Sequence, residues 1–328
     1  MKAARAEVSV ITPSYPNILS KIQKGNVVPF FGAGASMGPP PAPDSPAGAG
    51  PAPAVAAPAY APSASALASK LAKAFGLNGT EFEDEIKDLA KVTSFGDAIK
   101  AREALRDVLH TELGKDLTLG PIHQVTADLA KHLRLIVTTN YDLLLEKAMG
   151  DQPYHLVVQG VASDDPPGEA ILWWPPGVPT KADPQKRVVR SFKDLDPEKA
   201  EAPIIYKLHG SVLPEKNDCF VISEADYIGF LRRISGGNGI PAYFAKYMRS
   251  RSLLFLGYSL ADWNVRLLLQ PMFFNKRSTP GLAHWAINWH VKPLEKSIWD
   301  KRGIQVFDMP LDDFADGLRV EMNSRVGR

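Results

Sequence analysis

Four short segments, far apart in the chain, place small or polar residues directly after apolar runs that predict buried strands. They begin at Gly32 (GAGAS), Thr139 (TNYD), His209 (HGS) and Gly257 (GYSLADWN). The carboxyl ends of parallel strands meet at one edge of an open α/β sheet, and ligands bind at that edge. The four segments therefore predict a nucleotide site in which a backbone loop holds phosphate and polar side chains serve a ribose.

The first segment has the composition of a phosphate-binding loop. Small residues let the backbone approach a pyrophosphate, and successive amides give a positive partial charge. Met37 stands where a dehydrogenase fingerprint would carry a third glycine, and the segment lacks the lysine of a P-loop. The alternative interpretation is a tight turn between a strand and a helix.

Asn140 and His209 are the candidate catalytic residues. An asparagine at a strand end can bind a ribose hydroxyl or hold a water without adding charge, although it can also cap a helix. Histidine titrates near neutral pH, so His209 is the candidate general base. Asp142 would orient the loop or the base. The other six histidines lack a strand-end position followed by glycine.

The fourth segment supplies candidate groups for an adenosine. The turn Gly257–Tyr258–Ser259 can pass close to the nucleoside, and Asp262 and Asn264 can bind its ribose hydroxyls. Capping of the next helix by Ser259 or Asp262 is the alternative.

Strands and helices alternate along the chain, which predicts an α/β fold with a Rossmann-like parallel sheet and helices on both faces. Strands are expected at 27–31, 133–137, 204–206, 253–256, 283–287 and 304–307. We expect a single domain that spans residues 1–328. Its expected parts are a Rossmann-like core of 25–36, 130–150 and 200–328, a Pro/Ala-rich insertion at 39–62, a small helical cap at 63–120 with helices at 82–92 and 95–113, and an irregular excursion at 151–202.

Composition and charge narrow the class of protein. The chain has 328 residues and a formal net charge of +2, which gives no support to nucleic acid as a partner. Its one cysteine, Cys219, excludes an intramolecular disulfide and a four-cysteine zinc module. Cys219–Ile222 is expected as a strand, and Ser223 with Asp226 as a capping box at the start of the next helix.

The sequence shows neither a signal peptide nor an apolar run long enough to span a membrane, so a cytoplasmic protein is expected.

The four segments, in this order, resemble the motifs of the sirtuin (silent information regulator) superfamily, and are more similar to its bacterial NAD-cleaving branch than to the protein deacylases. GAGAS matches the Gly-Ala-Gly-x-Ser motif, and Thr139 replaces the glutamine of the Thr-Gln-Asn-x-Asp loop. The resemblance implies NAD as substrate and no metal. It assigns catalysis to Asn140, His209 and Asp142, and cofactor binding to Gly32, Ala33, Gly34, Ala35, Ser36, Thr139, Gly257, Tyr258, Ser259, Asp262 and Asn264.

Two departures from the deacylases favour hydrolysis over deacylation. The zinc module is missing, and the Pro/Ala-rich insertion replaces the segment that closes over nicotinamide. The resemblance then implies an NADase that releases nicotinamide and ADP-ribose as an effector of antiphage abortive infection. It also implies a homo-oligomer and a separate partner, such as a HerA-type translocase ATPase or another sensor protein. The alternatives are a module that senses NAD or ADP-ribose without catalysis, and an NAD-dependent protein deacylase or ADP-ribosyltransferase.

Overall fold

The computed structural model describes residues 12–39, 58–77, 82–164, 167–213, 219–237, 239–258 and 281–326. Most of the Pro/Ala-rich insertion lies outside these ranges, and so does the segment 262–272, for which the sequence pattern after Gly257 predicts a helix. The strands are, in chain order, Val27–Phe31 (β1), Leu135–Thr138 (β2), His155–Asp164 (β3), Pro167–Trp174 (β4), Gln185–Val188 (β5), Ile204–Lys207 (β6), Ser252–Leu256 (β7), His284–Asn288 (β8) and Ile304–Asp308 (β9).

One sheet contains all nine strands, in the order β5-β4-β3-β6-β2-β1-β7-β8-β9. The strands from β3 to β9 in this order are parallel, whereas β4 and β5 extend the β3 edge with antiparallel pairing. Every residue of β1, β2, β6 and β7 is buried, which explains why their sequences are apolar runs rather than alternating ones. The prediction of a mainly parallel sheet is confirmed.

The register brings the four sequence segments together. Phe31 of β1 pairs with Thr138 of β2 on one side and Leu256 of β7 on the other, and Thr138 pairs with Lys207 of β6. The last residues of these four central strands therefore lie side by side. Each predicted segment begins within two residues of such a strand end, so all four lie at the same edge.

Helices cover both faces of the sheet, as predicted, and alternate strand residues divide into two cores. Phe30 of β1 belongs to one core and Phe31 to the other. The helices that contribute to the Phe31 core are Tyr15–Gln23, Pro121–Asp128, Leu144–Met149 and Leu311–Val326, and those that contribute to the Phe30 core are Glu224–Ser235, Ala242–Arg249 and Pro293–Lys301.

Within the described ranges, no helix is long and apolar enough to cross a membrane.

A helical cap has a third core of its own. Its helices are Ala64–Ala74, Leu89–Ala98 and Arg102–Leu113, and they pack with Phe220 and Ile222. The predicted bounds at 82–92 and 95–113 are wrong. Asp88 begins the middle helix by accepting hydrogen bonds from the amides of Ala90 and Lys91, and Lys100, at φ 57°, separates it from the next.

Two further expectations are corrected by the structure. The segment 151–202 is not simply irregular, because β3, β4 and β5 lie within it and extend the sheet. These strands are set by pairing, of β3 with β6, of β4 with β3 and of β5 with β4, rather than by a local sequence pattern. Cys219–Ile222 is buried but is not a strand. It runs beside His209, whose carbonyl accepts the Val221 amide at 3.0 Å, and it continues to the predicted capping box of Ser223 and Asp226, which is confirmed.

Candidate active site

The first and fourth segments are packed backbone against backbone. The amide of Gly34 donates to the Gly257 carbonyl at 2.9 Å, and Gly257 adopts φ 62°. A Cβ at Gly34 would lie 2.8 Å from that carbonyl, and a Cβ at Gly257 would lie 2.3 Å from the amide nitrogen of Ala35. The two glycines are therefore required by contact between the loops, a reason that differs from the predicted approach to a phosphate.

The predicted phosphate-binding loop contains a single short turn. Residues Ala33–Ala35 form one turn of 3-10 helix, in which the amides of Ala35 and Ser36 donate to the carbonyls of Gly32 and Ala33. With Gly34 bonded to Gly257, these three amides are satisfied within the protein. Ala33 is the exposed residue of the turn. The role of this loop in binding a cofactor stays a prediction.

Ser36 joins the first segment to the second. Its hydroxyl donates to Asp142 Oδ2 at 2.7 Å and accepts from Asn140 Nδ2 at 2.9 Å. Asp142 Oδ1 accepts the Leu144 amide at 3.0 Å, which starts the helix Leu144–Met149. Asp142 is thus a buried carboxylate that bonds the first amide of this helix and fixes the Asn140 loop. Neither Asn140 nor Asp142 is the N-cap residue, which is Leu143.

Asn140 has one polar atom left for a ligand. Its Nδ2 donates to the Gly32 carbonyl and to Ser36 Oγ, both at 2.9 Å. Because a carbonyl only accepts hydrogen bonds, this contact fixes which end of the amide is nitrogen. No described residue donates to Oδ1. The half-buried Asn140 can therefore accept a hydrogen bond from a water or from a ribose hydroxyl.

His209 lies at the end of the next strand but in different surroundings. Its ring meets the rings of Tyr227 and Phe230 edge-on, with centroids 5.4 and 5.3 Å apart. Burial lowers the pKa of His209 to about 3, so the imidazole is neutral at physiological pH. Gly210, at φ 91°, is required after it, because a Cβ there would overlap the Cys219 carbonyl.

The remaining predicted residues divide into three groups. Thr139 lies on the Asn140 loop, where its amide donates to the Phe31 carbonyl at 3.1 Å. Tyr258 is buried in the core, with its ring edge-on to Phe30 at 5.4 Å, and the same ring packs against Gly32 of the first loop, where an added Cβ would lie 2.4 Å from it. Three predicted residues lie outside the described ranges: Ser259, Asp262 and Asn264.

A small cavity is lined by Asn140, Asp142 and Phe31. Sequence reasoning missed His123, which lines this cavity, is buried and stacks on Phe31 with centroids 5.7 Å apart. Burial lowers the pKa of His123, against the opposing effect of the Asp142 charge. Its position on a helix, rather than at a strand end, gave no signal in the sequence. The other lining residues are Thr138, Leu145 and Lys207.

Lys207 and Glu146 form a buried ion pair that sequence reasoning also missed. Their Nζ and Oε1 atoms are 3.1 Å apart, and their side chains are 1% and 6% exposed. Lys207 Nζ also donates to the backbone carbonyl of Asp142. Burial raises the pKa of Glu146, and the Lys207 ammonium opposes this shift. The signal was a charged residue at the end of each of two apolar runs, IIYK and LLLE.

Asn288 brings β8 to the same edge of the sheet. Its Nδ2 donates to the Tyr258 carbonyl at 3.3 Å, so the end of β8 supports the fourth loop. Among the described residues, no three His, Cys, Asp or Glu side chains are grouped as metal ligands. The expectation that no metal is needed stays a prediction.

Comparison with known proteins gives the family. Three solved structures of sirtuins are similar at 12% identity, and the alignments cover 95–96% of this chain and 99% of each of theirs. One concerns sirtuin substrate affinity (TM-score 0.38), one a Sir2 mutant with p53 peptide and NAD (0.37), and one the mechanism and regulation of Sir2 enzymes (0.36). None of the curated proteins matches. The family profile of the SIR2-like domain matches residues 134–307, more than half of the chain, so the protein belongs to the SIR2-like family.

Proposed function

We propose that the protein is an NAD hydrolase that releases nicotinamide and ADP-ribose. Membership of the SIR2-like family supports an NAD-related activity in general. The observation that carries the hydrolase proposal is the state of Asn140. Both of its amide hydrogens are used by Gly32 and Ser36, and its Oδ1 is left at the sheet edge to orient a water or a ribose hydroxyl.

The proposed step breaks the bond between C1′ of the ribose and the nicotinamide nitrogen. The bonding electron pair leaves with nicotinamide, which departs as a neutral ring from a cation, and a water oxygen forms the new bond to C1′. One water proton passes to His209 or to solvent, so the products are nicotinamide, ADP-ribose and a proton. Such a transition state resembles an oxocarbenium ion, and orientation of the reactants supplies much of the acceleration.

The roles of the other residues follow from their contacts. Asp142 holds the Asn140 loop through Ser36, and its negative charge favours a cationic ribosyl centre. His209 is neutral, so its imidazole can accept the proton that the attacking water loses on bonding to C1′, and nicotinamide departs as a neutral ring without needing a general acid. The loops at Gly32 and Gly257 would hold the diphosphate and the adenosine.

The test is incubation with NAD, followed by chromatography of the products, with and without an acyl-lysine peptide. Hydrolysis predicts nicotinamide and ADP-ribose in both reactions. Asn140→Ala and His209→Ala should each abolish cleavage, while Asn17→Ala and His132→Ala, which alter residues outside the four segments, should not. Binding of NAD without products would instead indicate a sensing module. Products that require the peptide would indicate a deacylase or an ADP-ribosyltransferase.

We propose further that this hydrolysis serves antiphage defence by depleting NAD, as an oligomer regulated by a separate partner such as a HerA-type ATPase. The support is the resemblance of the four segments to the bacterial NAD-cleaving branch. An unregulated NADase would harm its own cell, so we expect low activity until the partner or an infection signal acts. Light scattering and turnover, alone and with proteins encoded beside it, test this. A purified monomer that cleaves NAD rapidly without any partner would refute it.

A further inference from the structure

The buried pair Lys207–Glu146 connects the two candidate catalytic loops. Lys207 ends β6 two residues before His209, and Glu146 lies on the helix that follows the Asn140 loop. Between them, the Lys207 ammonium also holds the carbonyl of Asp142. A single side chain on the His209 strand therefore makes both a charged and a neutral contact with the Asn140–Glu146 segment.

Stability alone does not account for this pair. Removing two charges from water costs several kcal/mol per ion, and replacing a buried ion pair with apolar residues of similar size is often neutral or stabilising. Burial disfavours the charged form of Glu146, and the largest opposing effect is the charge of the Lys207 ammonium, 3.1 Å from Oε1. A contact of this kind is explained better by what it positions than by the free energy of folding.

We propose that Lys207 and Glu146 are positioning residues that hold the Asn140–Asp142 loop in register with His209. The proposal rests on the proposed function, because register matters only if the two loops act on one substrate. Lys207 fixes the loop through the backbone carbonyl of Asp142, while Ser36 fixes it through the Asp142 carboxylate. Loss of the contact between Lys207 and the carbonyl would free the loop to shift and would misplace Asn140 Oδ1.

The principal test is the double variant Lys207→Met with Glu146→Leu, which fills the same space without charge. We expect a folded protein whose kcat for NAD falls about tenfold or more, with KM changed by less than about threefold, because misplacement affects the reacting atoms rather than binding. The matched control is Glu146→Gln, which keeps an acceptor for Lys207 and should lower kcat by less than about threefold. A double variant with wild-type kcat overturns the proposal, and so does a Glu146→Gln variant as impaired as the double variant.

An NMR measurement that does not depend on NAD cleavage separates this proposal from the hydrolase proposal. The side-chain amide of Asn140, identified in 15N-labelled protein by its absence from Asn140→Ala, should shift in the double variant and stay in place in Glu146→Gln. If wild-type protein does not cleave NAD but the amide shifts as expected, the hydrolase proposal fails and the positioning role stands. An amide unmoved in the double variant overturns the positioning role. If the double variant does not fold, Lys207→Leu with Glu146→Gln, which also removes the donor to the Asp142 carbonyl, replaces it under the same criteria.

Discussion

The hydroxyl of Ser36 donates to the carboxylate of Asp142 over 2.7 Å, although 106 residues separate them in the chain. The same oxygen accepts a hydrogen bond from the side-chain amide of Asn140, so one side chain of the first loop sets the conformation of the Asn140 loop. A serine in a glycine-rich loop would be expected to contact a ligand. Here it already has two protein partners, which makes it a structural link within the candidate site.

Ser36→Ala should therefore reduce activity through Asn140 and Asp142. It leaves a buried carboxylate oxygen and an amide hydrogen without their partner, which should cost about 1–3 kcal/mol of folding free energy. The loosened Asn140 should lower kcat by about tenfold or more. Urea unfolding and the rate of nicotinamide release measure the two effects.

The control is Ser69→Ala. Ser69 donates to the Ser65 carbonyl at 3.0 Å on an exposed helix surface, so its loss should change stability by less than about 0.5 kcal/mol. Equal losses of activity in the two variants, or wild-type kcat in Ser36→Ala, would contradict the role assigned to Ser36.

Gly34→Ala should destabilise the protein even without a ligand. The new Cβ would lie 2.8 Å from the Gly257 carbonyl, and backbone cannot move away as a flexible side chain can. Overpacking of this kind costs about 1–3 kcal/mol. Weaker NAD binding is also expected for Gly34→Val, but part of that loss would come from displacement of the loop.

Gly229→Ala is the matched control for this prediction. Gly229 lies in the helix Glu224–Ser235, and its added Cβ would meet only the guanidinium of Arg233, at 3.1 Å. Alanine is favoured over glycine in a helix by up to about 1 kcal/mol, so this variant should be as stable as wild type or more stable. A Gly34→Ala protein of wild-type stability would show that the two loops can separate.

The central strands could be predicted from sequence because burial on both faces leaves an uninterrupted apolar run. Val27–Phe31 and Ser252–Leu256 are of this kind, and the loop after each parallel strand must lie at one edge. The strands between His155 and Val188 could not, because β3 is placed by parallel pairing with β6, and β4 and β5 by antiparallel pairing that extends the sheet from β3.

The positions of Asn140 and His209 were predictable, because each closely follows the end of a buried strand, whereas their roles in catalysis stay a prediction. The site was not predictable where residues act by packing. Tyr258 was expected near a ligand but supports the loop at Gly32 from the core, and the contact of Lys207 with Glu146 joins residues whose proximity only the folded sheet reveals. The bonding of the Gly34, Ala35 and Ser36 amides to carbonyls within the protein is likewise a property of the fold.

Deletion of residues 42–57 should leave the fold intact. The described residues on either side of this segment already meet, because a Cβ at Gly38 would lie 2.6 Å from the Tyr60 ring and the Ala61 amide donates to the Ser36 carbonyl at 3.0 Å. A short connection can therefore close the gap. Soluble yield, circular dichroism and thermal unfolding compare the deletion with wild type, and loss of folded protein would show that the segment packs against the domain.

The burial of His209 predicts a specific dependence of stability on pH. Its pKa is about 3 in the folded protein and about 6.5 when unfolded, so the unfolded chain takes up the proton first as pH falls. The stability that neutral His209 contributes is complete above about pH 6.5 and is lost progressively towards pH 3, by up to about 1.4 kcal/mol per pH unit. Between about pH 7 and pH 5, wild type should lose about 2 kcal/mol more than His209→Phe, which keeps a ring between Tyr227 and Phe230 but cannot titrate. Urea unfolding at the two pH values measures this difference, and the other buried histidines cancel because both proteins contain them.

The control is His132→Gln, which removes a half-buried imidazole and should retain most of the wild-type dependence of stability on pH. Equal losses in wild type and His209→Phe would mean that His209 is solvated in solution, and that its proton affinity is closer to that of an ordinary general base.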